Sequence, residues 1–355
     1  MIQNRPFIIP FFIPHAGCPH LCSFCNQHTI TGIRRSQSSL IEFHQTVKAY
    51  LSYMKKAHDE VQIAFYGGNF LGLHPQEMIA YLDAASEYIN QGMVHSIRFS
   101  TRPDTIQSER LSILSNYRVK TIELGIQSMN DDVLKRVKRG HTGKDSELAI
   151  VMLKQYNYQI GVQFMVGLPG DTEQTLFETT QKIVSLAPDF VRIYPTIVLH
   201  HSELAKWYIN GEFVPMTLAE CVHQVKQLYV YCLRNSIPVI RMGLHSDVHL
   251  QQPDAFLAGP YHPAFGHLVL SEIFYDMAKL AIADIHSTED TVVIHVHPND
   301  ISKMKGYQNQ NIQRLQHDFG KRHIQIHTST DLLFNQIWVN GQKINFNNLT
   351  NSSLL

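Results

Sequence analysis

Short apolar runs of strand character alternate with longer segments of helical periodicity through the first half of the chain. The strand-like runs are 6–13, 61–65, 96–100, 119–124, 160–166 and 190–194. Apolar residues recur at helical spacing over 40–57, 75–90, 105–115, 143–155 and 172–186, and Asp171 is placed to cap the last of these helices. The alternation predicts parallel strands with right-handed crossovers, and therefore an α/β fold, either a partial or full (β/α) barrel or an open sheet.

The pattern loosens toward the carboxyl end of the chain. Strands are predicted at 291–297, 323–327 and 336–339, and a helix that contains Gly306 is predicted at 300–319. We interpret this part as a small α+β extension. The predicted domains are therefore a core at 1–250 and an extension at 251–355.

Composition and charge narrow the class of protein. The chain has 355 residues, of which 44% are hydrophobic, and its 30 Lys and Arg balance 30 Asp and Glu. This excludes wholesale disorder and argues against a protein that mainly coats nucleic acid or an anionic membrane. The first apolar run is interrupted by Pro10, so no membrane segment is predicted. Five cysteines, unevenly spaced, do not form a disulfide framework, and a reducing cytoplasm is expected.

Three cysteines follow directly on the first strand. Cys18, Cys22 and Cys25 lie in a loop at the carboxyl end of that strand, where α/β folds place reactive residues. Three thiolates suit a soft metal centre and leave one coordination position open, as on one iron of a [4Fe-4S] cluster. A structural zinc site that adds one of three histidines remains the alternative; these are His15, His20 and His28.

The cysteine spacing, with aromatic Phe24 before the last cysteine, resembles that of the radical S-adenosylmethionine superfamily. The resemblance implies a (β/α) barrel of that type, with a [4Fe-4S] cluster and S-adenosylmethionine as cofactors. It implies reductive cleavage of S-adenosylmethionine to a 5′-deoxyadenosyl radical that abstracts hydrogen from a substrate. An electron donor such as flavodoxin or ferredoxin is the expected partner.

Glycines after the second strand fit the same resemblance. Gly67 and Gly68 resemble the pair with which the superfamily orients the amino group of S-adenosylmethionine, and Asn69 stands where many members have Glu. On its own, a Gly-Gly pair is more typical of a turn. Glu123, in the fourth strand, is a buried carboxylate that needs either a ligand or an internal salt bridge, for which Arg102 is the obvious candidate.

Longer segments resemble the radical domain of the Elongator catalytic subunit and its bacterial relatives. They include Ser-Thr-Arg-Pro-Asp from Ser100, Glu-Leu-Gly-Ile-Gln-Ser from Glu123, and Arg-Gly-His-Thr from Arg139. The resemblance implies cofactor contacts from several residues: Phe24, Gly67, Gly68, Asn69, Ser100, Arg102, Glu123, Gln127, Arg139 and Tyr194. The first two cysteines stand closer together here than in that subunit, and no glycine-rich pyrophosphate loop follows residue 250, so acetyl transfer is not expected.

Three functions stay open on the sequence. The radical could act on an RNA base, as in a tRNA, which the Elongator-like segments suggest and the neutral net charge mildly disfavours. It could act on a small metabolite or a peptide. Alternatively, the cysteines could hold zinc or an iron–sulfur centre in a non-catalytic scaffold.

Overall fold

The computed structural model describes residues 6–13, 17–19, 21–26, 39–55, 58–244, 256–283, 290–320 and 323–349. The chain forms two compact units, the first comprising Met1–Pro215 with Ser246–Gly259 and the second Met216–His245 with Pro260–Leu355. The predicted domain boundary between 250 and 251 falls in 245–255, outside the described residues, and stays a prediction.

The first unit is built on parallel strands that neighbour one another in chain order. They are β1 (Phe7–Phe12), β2 (Val61–Tyr66), β3 (Ser96–Thr101), β4 (Val119–Gln127), β5 (Gln159–Val166) and β6 (Phe190–Pro195). The helices of this unit are α1 (Leu40–Tyr53), α2 (Pro75–Asn90), α3 (Ser108–Leu114), α4 (Asp131–Arg136), α5 (Gly143–Lys154), α6 (Glu173–Ser185) and α7 (Glu203–Ile209). The parallel strands form a curled partial barrel, which confirms the predicted fold class.

Alternation along the strands gives the barrel sheet two different faces. Phe65, Phe99 and Ile122 are fully buried on the face that the helices cover, and Phe65 stacks on Phe70 with ring centroids 4.7 Å apart. The other face is polar and carries Arg98 and Glu123. Because successive side chains of a strand point to opposite faces, the same six strands form both an apolar core and a polar interior wall.

Two predicted helix features are wrong in detail. Thr172, not Asp171, caps α6, because its hydroxyl accepts from the backbone N–H of Thr175. Asp171 instead accepts from the backbone N–H of Leu168. The helix predicted at 300–319 breaks at Gly306, where φ is +73° and the chain leaves the helical conformation.

The second unit combines helices with a small sheet. Its elements are α8 (Leu218–Arg234), β8 (Val239–Met242), α9 (Phe265–Ala283), β10 (Thr291–Val296), α10 (Ile301–Lys305), α11 (Gln310–Asp318), β11 (His323–Thr328), β12 (Gln336–Val339) and β13 (Gln342–Asn345). The sheet order is β11-β10-β12-β13. In the first unit, β7 (Val198–Leu199) pairs antiparallel with β9 (Phe256–Ala258). Within the described residues, no helix is long and apolar enough to cross a membrane.

Candidate cofactor site at the carboxyl ends of the strands

The three cysteines lie just beyond β1 and none of them forms a disulfide. Cys22 is buried, and Cys18 and Cys25 are partly buried. The backbone N–H of Cys25 donates to the carbonyl of Cys22 at 3.0 Å, so the last two cysteines are joined by a tight turn. All three thiols are therefore available as ligands on one short segment.

Residues from two other parts of the unit hold this segment in place. The backbone N–H of Ser23 donates to the carbonyl of Val137 at 3.0 Å, and the N–H of Leu204 donates to the carbonyl of Ser23 at 2.8 Å. Phe24 packs against two buried apolar clusters, one containing Val137 and the other Leu204. The structure thus gives Phe24 an anchoring role, and its predicted cofactor contact stays a prediction.

Asn69 locks the start of the cysteine segment to the turn after β2. Its Nδ2 donates to the carbonyl of Gly17 at 2.8 Å, and its Oδ1 accepts from Thr101 Oγ1 at 2.7 Å and from the Arg102 backbone N–H at 3.0 Å. A Cβ on Gly17 would lie 2.2 Å from the Asn69 carbonyl oxygen, so only glycine permits this close approach. The fully buried Asn69 amide therefore holds Gly17, at the start of the cysteine segment, against the turn after β2. Sequence reasoning missed this role.

Two buried arginines lie beside Cys22. Arg139 donates from Nη1 to Cys22 Sγ at 3.3 Å and from Nη2 to the carbonyl of Gly125. Arg102 donates to the Arg139 carbonyl and pairs with Asp104 at 2.9 Å. Arg102 Nη1 and Arg139 Nε are buried donors that have no acceptor among the described residues. Such orphaned donors could bond to a bound group that carries acceptors.

The electrostatics of this corner follow from burial and from the two guanidinium groups. Burial raises the pKa of the Cys18 thiol, and Arg139 opposes that shift. Burial, followed by repulsion from Arg139 and Arg102, lowers the pKa of His141 to about 3. His141 is therefore neutral at physiological pH, and Arg139 carries the positive charge that a thiolate needs.

Glu123 is the centre of an ion network on the polar face of the sheet. Its carboxylate pairs with Arg98 at 2.7 Å and with Arg192 at 2.8 Å. Tyr66 and Gln163 also donate to it, at 3.2 Å and 3.0 Å. The internal salt bridge considered from the sequence is present, but Arg102 is the wrong partner, because it bonds Asp104 instead.

Sequence reasoning missed Arg98 and Arg192 as members of this network. Arg98 lies on β3, Glu123 on β4 and Arg192 on β6, so their meeting depends on the register of strands that are distant in the chain. The available signal was the polar residue at alternate positions of otherwise apolar strands. That pattern predicts a polar interior face, but it does not identify the pairs.

The remaining predicted residues lie at or near the carboxyl ends of the strands. Gly67 has φ +87°, a backbone conformation that favours glycine, and a Cβ there would lie 3.3 Å from the Phe12 ring. Gly68 and Ser100 line a small cleft beside Tyr66. Gln127 ends β4 with φ 67°, and the Tyr194 hydroxyl accepts from Arg192 at 3.4 Å. Their cofactor contacts stay predictions.

The donor set fits a metal cluster, although the thiols are not gathered to metal-binding distance. Among the described residues, no three His, Cys, Asp or Glu side chains are close enough together to hold a metal ion. The histidines of the alternative zinc site, His15, His20 and His28, lie outside the described residues. Three thiols outside any disulfide, a guanidinium on Cys22 Sγ and two orphaned buried donors fit a thiolate-bound anionic group.

Comparison with known protein families gives two matches along the chain. The model of the Radical SAM superfamily matches residues 12–183, and that of the Radical_SAM C-terminal domain matches residues 188–274. The first match contains all three cysteines as well as Arg102 and Arg139.

Several characterised proteins are similar over the same part of the chain. A tRNA uridine(34) acetyltransferase of Dehalococcoides mccartyi is 22% identical over 246 residues, which cover 59% of this chain and 54% of that protein. The human Elongator complex protein 3 is 25% identical over 280 residues, covering 64% and 50%. This chain therefore spans about half the length of these two relatives.

The fold is likewise similar to that of a solved archaeal structure. The Elp3 of Methanocaldococcus infernus, with an N-terminal deletion, superposes with a TM-score of 0.58 and 18% sequence identity, covering 77% of this chain and 63% of that chain. This likeness concerns the fold alone.

Proposed function

Because this chain belongs to the radical S-adenosylmethionine superfamily, we propose that it performs its radical chemistry on an RNA base, in a tRNA. Its cofactors are a [4Fe-4S] cluster and S-adenosylmethionine. When bound, they supply the 5′-deoxyadenosyl radical that abstracts hydrogen from the substrate. Membership of this superfamily supports an enzyme over the non-catalytic scaffold.

Cys18, Cys22 and Cys25 would hold the cluster. Arg139 holds Cys22 in place, because its Nη1 donates to the sulfur at 3.3 Å from a buried position where water competes little. Arg102 fixes Arg139 by donating to its carbonyl. Together the two arginines set the charge of the pocket.

The orphaned donors of the two arginines suit the carboxylate of S-adenosylmethionine. Arg102 Nη1 and Arg139 Nε are buried and have no acceptor among the described residues, so an anionic ligand oxygen would satisfy them. Gly67 and Gly68, in the turn directly after β2, are the proposed backbone contacts of the ammonium group. Gln127 and Ser100, at the ends of β4 and β3, are proposed ribose contacts.

The network around Glu123 gives the interior a fixed polar wall. Tyr66, Arg98 and Arg192 all bond to this carboxylate, so the wall holds its shape without water. Tyr194 adjoins the wall through Arg192 and is the proposed neighbour of the substrate base. A prearranged polar interior of this kind orients a reacting group at no reorganisation cost.

The observation that carries the tRNA proposal is the similarity to proteins named tRNA uridine(34) acetyltransferase. It covers only about half of such a protein, so acetyl transfer is not part of the proposal. A reducing cytoplasm and an electron donor such as flavodoxin or ferredoxin belong to it, because free thiols and a reductive reaction require a reducing environment.

The test compares tRNA nucleosides by mass spectrometry from cells with the intact gene, without it, and with a Cys22→Ala variant. We expect one modified nucleoside to be lost without the gene, restored by the intact chain and not restored by the variant. An unchanged nucleoside profile together with a changed small metabolite or peptide would contradict the proposal and favour the alternative substrate.

A further inference from the structure

The sheet of the second unit presents one row of aromatic and basic side chains across all four strands. His327 on β11 is in register with His295 on β10, His295 with Trp338 on β12, and Trp338 with Lys343 on β13. Residues in register on neighbouring strands share a face and lie about 5 Å apart. The row therefore runs straight across the sheet.

The two faces of this sheet differ sharply in burial. Val292, Ile294 and Ile337 are buried on the inner face, which packs toward α9, α10 and α11. On the outer face, His327 and Lys343 are exposed, and His295 and Trp338 are partly exposed. The row is accordingly accessible from solvent, and β10 to β13 keep the strict alternation of a sheet covered on one side only.

The outer face has no acidic residue within its strands. Its positions are Thr291, Val293, His295, His323, Gln325, His327, Gln336, Trp338, Lys343 and Asn345. A face that combines a tryptophan, three histidines and a lysine without Asp or Glu is complementary to a ligand that is both aromatic and anionic. The residues lie beyond 274, where the second family match ends.

The aromatic rings of the row support one another. The rings of His295 and Trp338 meet edge to face, with centroids 4.7 Å apart and an interplanar angle of 65°, and His295 lies 5.6 Å from His327. Beside the row, His297 and Phe334 are in contact at 4.2 Å. Rings held by neighbours lose little conformational freedom when a base stacks on them.

We propose that this outer face binds single-stranded RNA, with bases on Trp338 and His295 and a phosphate at Lys343. Stacking on aromatic side chains of an open sheet, with a cation for the backbone, is a physical basis of single-strand recognition. A metal ion is a poorer occupant, since the described residues contain no cluster of three metal ligands. The inference deepens the proposed function by adding a contact that involves none of the cofactor residues.

The test uses the intact, cluster-loaded chain and a fluorescein-labelled oligouridylate of about twelve nucleotides, within the usual site size for single strands. The chain contains two tryptophans, so Trp207→Phe leaves Trp338 as the single reporter. We expect saturable quenching of Trp338 fluorescence by the oligomer and weaker binding of an abasic oligomer. Equal binding of the abasic oligomer, or unchanged fluorescence at saturation, would overturn the inference.

Two substitutions separate stacking from charge. Trp338→Leu should weaken binding roughly five- to a hundredfold, the range for the loss of one base–aromatic stack. Lys343→Gln, at an exposed position that folding does not depend on, should weaken binding a few-fold and reduce the slope of log affinity against log salt by about one. The control is Lys144→Gln, an exposed lysine of α5 paired only locally with Glu147, which should leave binding unchanged.

The outcome is independent of the radical chemistry. Cys22→Ala should abolish nucleoside modification yet bind the oligomer as the wild type does. If no tRNA nucleoside depends on the gene but binding still requires Trp338 and Lys343, the inference stands and the proposed function fails. If nucleosides depend on the gene while both variants bind like the wild type, the inference fails.

Discussion

Two groups of buried arginines in the first unit differ in what they face. Arg98 and Arg192 converge on the Glu123 carboxylate, which also accepts from Tyr66 and Gln163. Arg139, by contrast, faces a thiol and a carbonyl, and no carboxylate forms an ion pair with it among the described residues.

The difference separates a structural ion network around Glu123 from a candidate binding site at Arg139. The Glu123 network satisfies its carboxylate from within the protein, so it needs no ligand to be stable. The corner at Arg139 holds a guanidinium that pairs with no carboxylate among the described residues, so an anionic ligand would supply the missing counter-charge. Orphaned donors alone do not distinguish the two groups, because Arg98 Nε also lacks an acceptor. We therefore expect the two groups of arginines to have different roles, one structural and one in binding.

The largest expected effect comes from the thiols that Arg139 faces. Cys22→Ala should abolish both bound iron and reductive formation of 5′-deoxyadenosine, because the proposed function makes this thiolate a ligand of the cluster. Iron analysis and chromatography of the reduced reaction provide the measurement. Cys232→Ala, a buried cysteine of α8, is the matched control and should keep both. Retained iron in the Cys22 variant would contradict the assignment.

Next in size is removal of the carboxylate from the wall. Glu123→Gln leaves the buried Arg98 and the partly buried Arg192 without their counter-charge and should lower the free energy of unfolding by about 3–5 kcal/mol. Urea denaturation of the intact chain measures it. Glu147→Gln, which removes an exposed ion pair with Lys144, should cost less than about 1 kcal/mol. Similar losses in both variants would show that the network adds nothing.

The carboxylate of Asp171 sharpens the contrast, because it is partly buried and forms no ion pair among the described residues. Burial raises the pKa of Asp171 to about 7, against bonds from Thr175 and the Leu168 N–H that lower it. A carboxyl whose pKa is higher in the folded state than in the unfolded chain favours folding below pH 3.8, and that contribution is lost as the pH rises through 7.

Asp171→Asn should therefore flatten the fall in the free energy of unfolding between pH 4 and 7. The difference is at most about 4 kcal/mol, from three pKa units at about 1.36 kcal/mol each. Urea denaturation at several pH values measures it, and Asp132→Asn, an exposed residue at the start of α4, is the control. A slope that Asp171→Asn leaves unchanged would show that the carboxyl is ionised at its ordinary pKa.

The smallest expected effect concerns the geometry of the guanidinium. Arg139→Lys keeps the charge but cannot span Cys22 Sγ and the Gly125 carbonyl together. We expect iron to bind and the rate of 5′-deoxyadenosine formation to fall about tenfold, the lower end for a lost bond to a charged group. Lys138→Gln, its exposed neighbour, should change neither. A wild-type rate in the Arg139→Lys variant would show that only the positive charge at this position is needed, not the geometry of the guanidinium.

The elements of the fold followed from local patterns, and most contacts of the site did not. The pattern of apolar residues predicted the strands from β1 to β6. A strand that buries one face needs apolar side chains at those positions, whichever neighbours it pairs with. The partners of Glu123 depend on register between distant strands, which no local pattern contains. Arg102 was nearer in the sequence than Arg192, and it was the wrong choice.

Asn69 is a second residue whose contacts could not be predicted from a local sequence pattern. A resemblance predicted a cofactor contact at this position, and that contact stays a prediction. The structure adds that the buried amide bonds Gly17, Thr101 and Arg102. The close approach of Gly17 to the turn after β2 created that role, and close approaches between loops follow from packing in three dimensions. The break at Gly306 could have been predicted, since a glycine inside a predicted helix lowers the stability of the helix and often ends it.

The central claim is that Cys18, Cys22 and Cys25 hold a [4Fe-4S] cluster beside Arg139, and that this cluster cleaves S-adenosylmethionine. The most direct measurement is the metal content of the anaerobically reconstituted chain, together with its yield of 5′-deoxyadenosine on reduction. We expect one [4Fe-4S] cluster per chain and 5′-deoxyadenosine that depends on both dithionite and S-adenosylmethionine. A chain that retains zinc in place of iron and yields no 5′-deoxyadenosine would contradict the account.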